Sequence, residues 1–183
     1  KEVFPLLRDN KVWMGCTIHS GDREFGVPDE YPLEAAGCRI DENGKKYIRV
    51  KGVRWYTNID HGRRHNPLSL MSMADNIKYS KHKDIQGKKY QHYDNYDAIE
   101  IPYTDAIPCD YENLMGVPVT FLDKYCPEQF DIIWQACGNT RASAPKEILD
   151  EVGYTIHPED RGGCGVVNNK RQYARILIRK KHL

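Results

Sequence analysis

Apolar residues recur along this chain with two spacings, and these separate segments expected to be helical from segments expected to be extended. Val3, Phe4, Leu6 and Leu7 come before the polar stop Arg8-Asp9-Asn10, as at the end of a helix. Residues 11–18 read as a strand, and residues 19–44, rich in Gly, Pro and acidic side chains, as a long loop or ragged hairpin arm. The clearest strand spans residues 47–59. Ile48 and Val50 share one parity while Val53, Trp55 and Ile59 share the other, so the apolar face changes sides at Gly52. Side chains alternate with a period of two, so a one-residue slip reverses all of them, and a glycine at the slip marks a bulge. Residues 11–18 and 47–59 are expected to pair as an antiparallel ribbon.

Residues 72–92 have little apolar content and read as a loop or irregular insertion. Residues 117–122 form a short apolar run expected as a buried strand. It leads into an expected helix with Pro127 in its first turn, Glu128 beside the positive helix end, Phe130, Ile133, Trp134 and Cys137 at helical spacing, and Gly138 as the stop. A second short helix is expected over residues 145–152, before Gly153. Over residues 173–181, Ala174, Ile176 and Ile178 alternate with Arg175, Leu177 and Arg179, which predicts a strand with one core face and one partly basic face. The fold class is mixed α/β, without internal repeats.

Composition and charge add to this picture. With 183 residues, 40% of them hydrophobic, the chain can bury the core of one domain, with or without an appended lobe. No apolar run approaches the roughly 18 residues of a membrane span, so a membrane is not an expected partner. The chain opens Lys1-Glu2-Val3-Phe4-Pro5, without an initiator Met or a charged-then-apolar leader, so further sequence is expected upstream. Cys16, Cys38, Cys109, Cys126, Cys137 and Cys164 include no Cys-x-x-Cys pair, which points to reduced thiols in a cytoplasmic protein and gives no zinc-site spacing. Charge is unevenly spread beneath a net +1: residues 45–92 carry 12 basic against 3 acidic side chains, and residues 93–133 carry 1 against 9. A basic block of that density points to a polyanionic partner.

Four stretches carry a resemblance. They are Val53-Arg54-Trp55-Tyr56-Thr57-Asn58-Ile59-Asp60-His61, Tyr93-Asp94-Asn95-Tyr96-Asp97-Ala98-Ile99-Glu100, Asp105-Ala106-Ile107-Pro108, and Gly116-Val117-Pro118-Val119-Thr120-Phe121-Leu122-Asp123-Lys124-Tyr125 continuing through Pro127-Glu128-Gln129-Phe130. The chain resembles the EcoRI-like family of adenine-specific DNA methyltransferases over most of residues 12–180. The resemblance implies methyl transfer from S-adenosylmethionine to the exocyclic amine of adenine in double-stranded DNA, within restriction-modification. It implies a glycine loop for the cofactor and an Asn/Asp-Pro-Pro-aromatic loop for the flipped base. This sequence holds no Pro-Pro dipeptide; Asn66-Pro67-Leu68-Ser69 has Leu and Ser where Pro and a ring belong and reads as a turn. Arg161-Gly162-Gly163-Cys164-Gly165, the one glycine-rich loop, reads as a turn or a DNA-backbone approach.

The expectation is therefore the C-terminal edge of a Rossmann-like methyltransferase sheet with an appended DNA-recognition region. Residues 1–71 would end the methyltransferase-like domain, residues 72–97 form a basic Tyr/Lys-rich loop, and residues 98–183 form a C-terminal α/β region. No catalytic, cofactor or metal residue is expected in this chain; S-adenosylmethionine would serve the intact enzyme, with catalysis in a missing N-terminal region. DNA-binding candidates begin with Arg54 and with His61, Arg63, Arg64, His65 and Asn66, where Arg can pair with guanine and Asn with adenine, or the segment contacts phosphates only. They continue with Lys81, Lys83, Lys88 and Lys89, interleaved with tyrosines, which either track phosphates or form a hydrated loop. Arg161 and Arg171 complete the set. Two other readings stay open: a metal-dependent nuclease, and a non-catalytic module that self-associates into a homo-oligomer through an open sheet edge.

Overall fold

The computed structural model describes residues 2–15, 21–32 and 37–181. In chain order the elements are α1 (Val3–Arg8), β1 (Trp13–Met14), β2 (Gly21–Val27), β3 (Cys38–Ile40), β4 (Lys46–Val53), β5 (Tyr56–Thr57) and α2 (Met73–Tyr79). After these come β6 (Ala98–Glu100), β7 (Leu114–Pro118), β8 (Phe130–Ala136), α3 (Lys146–Glu151), β9 (Val166–Val167), β10 (Lys170–Arg171) and β11 (Arg175–Lys180). The mixed α/β class stands, with short helices and several small sheets. Two compact units are present, one of residues 1–13 and 58–183 and one of residues 14–57. The boundaries expected at residues 71 and 97 both fall inside the larger unit.

The smaller unit holds a three-stranded antiparallel sheet in the order β2-β4-β3. Residues 19–44, expected to be a loop or ragged arm, thus supply two of its strands; residues 19, 20 and 33–36 of that segment lie outside the described residues. The long strand pairs with these neighbours; of the expected ribbon, the described residues show β1 paired with β5 and the Gly15 N–H donating to the Trp55 carbonyl at 3.0 Å. Residues 16–18, with Cys16, lie outside the described residues. The slip at Gly52 is present: Gly21 faces Val53 and Arg23 faces Val50, so Lys51 and Gly52 together oppose Asp22, and Gly52 has φ 64°. That left-handed backbone is open to glycine at little cost.

A four-stranded sheet in the order β6-β7-β11-β8 organises the larger unit. β6 runs parallel to β7, and β11 is antiparallel to both β7 and β8. The helix expected over residues 127–138 is a strand. Phe130, Ile132, Trp134 and Ala136 are buried while Asp131 is exposed, which is a period of two. Both periods were present in the sequence, and pairing with β11 selects the extended one, which suits β-branched Ile132 and Ile133. Cys137 follows the end of that strand. Upstream, the expected strand over 117–122 is displaced to β7, and Val119–Lys124 is a 3-10 helix burying Phe121 and Leu122. α1, α3 and β11 form as expected, but β11 is central, so Arg175, Ile176, Leu177 and Ile178 are all buried.

Residues 72–92, expected as a loop or irregular insertion, contain the helix α2. Ser72 caps α2 by accepting from the Asp75 N–H at 3.0 Å while Ser72 Oγ donates to Asp75 at 2.7 Å. The Asp75 carboxylate thus takes the Ser72 hydroxyl, where the second bond of a capping box would take the Ser72 backbone N–H. A polar knot fixes the sheet from inside: Arg175 Nε and Nη2 donate to Glu100 Oε1 at 2.8 and 2.5 Å, and the Tyr93 hydroxyl donates to Glu100 Oε2. Gly116 and Gly165 flank the Tyr93 ring, and a methyl group on either would collide with it.

Candidate nucleic-acid interface

The segment following β5 folds around one arginine. Arg64 is buried with its guanidinium 3.5 Å from the centre of the Trp13 ring, donating to Asn10 Oδ1 at 2.7 Å and to Asp60 at 3.4 Å. Trp13 Nε1 donates to the Ile59 carbonyl at 3.1 Å. Gly62–His65 forms one turn of 3-10 helix between extended His61 and Asn66. At three residues per turn, adjacent side chains point about 120° apart, so burying Arg64 leaves Arg63 on the outer face.

His65 closes the turn. Its Nε2 lies 2.9 Å from Asp60 Oδ1, and its Nδ1 lies 2.8 Å from Glu128 Oε1. The Asp60 hydrogen bond, then that of Glu128, raises the pKa of His65 above the ordinary imidazole value. The His65 hydrogen bond lowers that of Asp60. Partial desolvation works against a low pKa at Glu128, but the Cys126 thiol and His65 both donate to it and hold it below the ordinary value.

Next comes a cleft. Residues 66–69, expected as a turn, form none; Asn66 is extended and Leu68 is held by both ends of the Gln129 amide: Leu68 N–H donates to Oε1 at 2.8 Å and Nε2 donates to the Leu68 carbonyl at 2.9 Å. The side chain of buried Gln129 thus replaces a strand partner. Against this segment opens a cleft of about 290 Å³, lined among others by Arg63, Asn66, Ser69, Asp105, Asp123 and Lys124. Asp105 is held by Lys81 Nζ at 2.8 Å and His82 Nε2 at 2.9 Å, and the His82 ring stacks on Tyr103 at 3.7 Å. Partial burial would raise the pKa of Asp105, and the Lys81 and His82 hydrogen bonds outweigh it, so it is lowered.

The family model for adenine-specific methyltransferase EcoRI matches residues 1–181. The chain belongs to this family. It is 38% identical over 183 residues to the type II methyltransferase M.EcoRI of Escherichia coli, covering 100% of this chain and 47% of that protein. It is 31% identical over 185 residues to the type II methyltransferase M.MgeORF184P of Mycoplasma genitalium, covering 99% and 53%. With the type II methyltransferase M.MpnI of Mycoplasma pneumoniae the identity is 26% over 183 residues, covering 98% and 52%. The chain spans about half the length of these curated relatives. No solved structure matches it.

Two of the stretches carrying the family resemblance meet at the cleft: Asp105 comes from the third, and Asp123 and Lys124 from the fourth. Arg63 and Asn66 follow directly on the first. Lys124 was not foreseen as a site residue; its signal was its position as the single cation among residues 93–133. Other candidates lie elsewhere. Lys83 and Lys89 are exposed, and Lys88 is 4.0 Å from Asp84. Arg171 is exposed on the β9–β10 hairpin, whose Asn168-Asn169 turn has φ of 50° and 59°. Arg161 is exposed, and Arg54, half-buried, belongs to the smaller unit.

The glycine-rich loop is a turn built around a carboxylate. Gly163 and Cys164 N–H groups both donate to Asp160 Oδ1 at 2.7 Å, while the carbonyls of Gly162, Gly163 and Cys164 accept from Arg141 N–H, the Tyr96 hydroxyl and Asn95 Nδ2. Its Gly163 and Cys164 donors are therefore engaged within the chain. At His65 the imidazole sits between the two carboxylates, so these three side chains do not converge on a point; among the described residues no cluster of three His, Cys, Asp or Glu side chains could hold a metal ion. Nor is any described helix long and apolar enough to cross a membrane.

Proposed function

We propose that this chain engages double-stranded DNA through the cleft beside Arg63, as the substrate-facing C-terminal part of an S-adenosylmethionine-dependent, adenine-specific methyltransferase of a restriction-modification system. The observation that carries the reading is the cleft itself, where Arg63 and Lys124 stand beside Asn66 and Ser69 on segments that resemble the family. Arg63 and Lys124 give phosphate attraction, the lining carboxylate Asp105 being offset by Lys81 and His82 while Asp123 opposes it, and the amide and hydroxyl offer hydrogen bonds to a base edge or sugar. Exposed Lys83, Lys89, Arg161 and Arg171 extend the basic surface. Arg64 is engaged inside the fold and positions its neighbours.

S-adenosylmethionine supplies the transferred methyl group in the whole enzyme. The glycine-rich loop does not fit a cradle for it, because its Gly163 and Cys164 N–H groups already hold Asp160. No step of methyl transfer is assigned to residues of this chain, and the mixed sheet is read as the edge of a larger Rossmann-like one. The test is fluorescence anisotropy of labelled duplex DNA over a salt series. Affinity should fall steeply with salt, and Arg63→Ala and Lys124→Ala should each flatten the log–log slope by about 1. Binding that is absent or indifferent to salt would remove the DNA reading. Incorporation of labelled methyl groups by the chain alone would overturn the placement of the chemistry elsewhere.

A further inference from the structure

We propose that His65, bridged between Asp60 and Glu128, is a positioning residue that sets Arg63 and Asn66 at the cleft and makes DNA engagement there weaken as pH rises. The inference rests on the cleft's reading as a DNA site and adds a control to it.

The geometry supplies the argument. Both ring nitrogens of His65 face carboxylate oxygens, at 2.8 and 2.9 Å. A neutral imidazole has one donor and one acceptor, whereas an ionised carboxylate only accepts, so both contacts hold together only when both nitrogens carry protons. Loss of one proton turns a ring nitrogen's lone pair toward a carboxylate, and one of the two contacts must open. Asp60 lies at the start of the Gly62–His65 turn and Glu128 just before β8, so the imidazolium ties the turn to the sheet layer. Arg63 and Asn66 flank His65 closely in sequence, and both line the cleft.

The surrounding charges favour a switch over collapse. Asp60 also accepts from Arg64 at 3.4 Å, and Glu128 also accepts from the Cys126 thiol at 3.2 Å, so each carboxylate keeps a partner when His65 lets go. Tyr125, buried beside them, has its pKa pushed up to about 12 by burial and stays neutral. Arg64, with Trp13 and Asn10, anchors the turn from its other side, so opening at His65 frees the outer residues without unfolding the segment. The sign follows: a histidine whose pKa is raised in the fold contributes its tie fully below the unfolded value, and the tie is lost as pH rises through the folded value.

Two measurements test this on the whole chain. Duplex affinity at constant ionic strength, followed from about pH 6 to about pH 9, should fall about tenfold for the native chain. His65→Gln should start at the weaker level and follow a flatter profile, because glutamine keeps one donor and cannot titrate. An unchanged profile in that variant would overturn the proposal. The second measurement needs no DNA: the His65 imidazole is titrated by NMR together with the backbone amides of residues 62–66. A midpoint above that of free histidine, lowered by Glu128→Gln and shared by those amides, supports the positioning role. A midpoint at or below the free value overturns it. Absence of DNA binding at every pH, with the NMR result as expected, would instead remove the DNA reading and leave the positioning intact.

Discussion

In the larger unit Arg175 is buried within the four-stranded sheet, with Glu100 and Tyr93 completing its partners. In the smaller unit Arg39 and Arg49 lie across an exposed sheet, Arg39 on Glu24 at 2.7 Å and over the Tyr47 ring, and Arg49 on Asp22 at 2.8 Å. The chemical pairs are similar, but their surroundings differ. β11 has both faces covered, so its charges had to be satisfied before the sheet could close. β4 has most of its side chains open to solvent, so its ion pairs compete with water and bridge strands that have little apolar contact to offer. The same residue type therefore holds a core together in one unit and decorates a surface in the other. Within the basic block, Arg49, Arg64, Lys81 and Lys88 each meet an acidic side chain of the chain itself.

The comparison can be broken most forcefully at Arg175. Arg175→Ala, which leaves Glu100 buried without its cation, should destabilise the larger unit by about 3–5 kcal/mol in denaturant unfolding. A loss below about 1 kcal/mol, the surface value, would show that the knot behaves like the pairs of the smaller unit. Gly116→Ala drives a methyl group into the Tyr93 ring and should cost about 1–3 kcal/mol, read from the same unfolding curves. Arg63 and Arg64 sharpen the contrast within one turn. Arg64→Ala should lower the melting temperature, because Trp13, Asn10 and Asp60 lose a shared partner. Arg63→Ala should lower the melting temperature less than Arg64→Ala does and weaken duplex binding about tenfold. The smallest effect is expected at the exposed pair: Glu24→Gln should leave the thermal unfolding of the larger unit within measurement scatter.

How far the fold could be read from sequence varied with the source of the signal. Local signals were sufficient for α1 and its polar stop, for α3 ahead of Gly153, and for the parity change at Gly52. β8 was misread because Phe130, Ile133, Trp134 and Cys137 satisfy a helical period while Phe130, Ile132, Trp134 and Ala136 satisfy an extended one. Only the neighbouring β11 breaks that tie. α2 was overlooked because its face is largely polar and its signal lay in the Ser72–Asp75 cap. At the site, the 61–66 constellation was visible in sequence, yet which of its adjacent arginines points inward was not. Lys124 became a neighbour of Arg63 only when the 3-10 helix after β7 was placed.

By itself, the sequence determined the family, the mixed α/β class and the uneven distribution of charge, because these reside in residue identity and short-range order. Tertiary structure alone decided that Arg64 and Arg175 belong inside and Arg63 outside, that the glycine-rich loop wraps Asp160, and that His65 meets two carboxylates. Each of these depends on residues distant in sequence: Trp13 with Arg64, Glu100 with Arg175, Glu128 with His65. Whether a charged side chain faces water or a partner is set by the free energy of burying it, and that is defined only once the chain has folded around it.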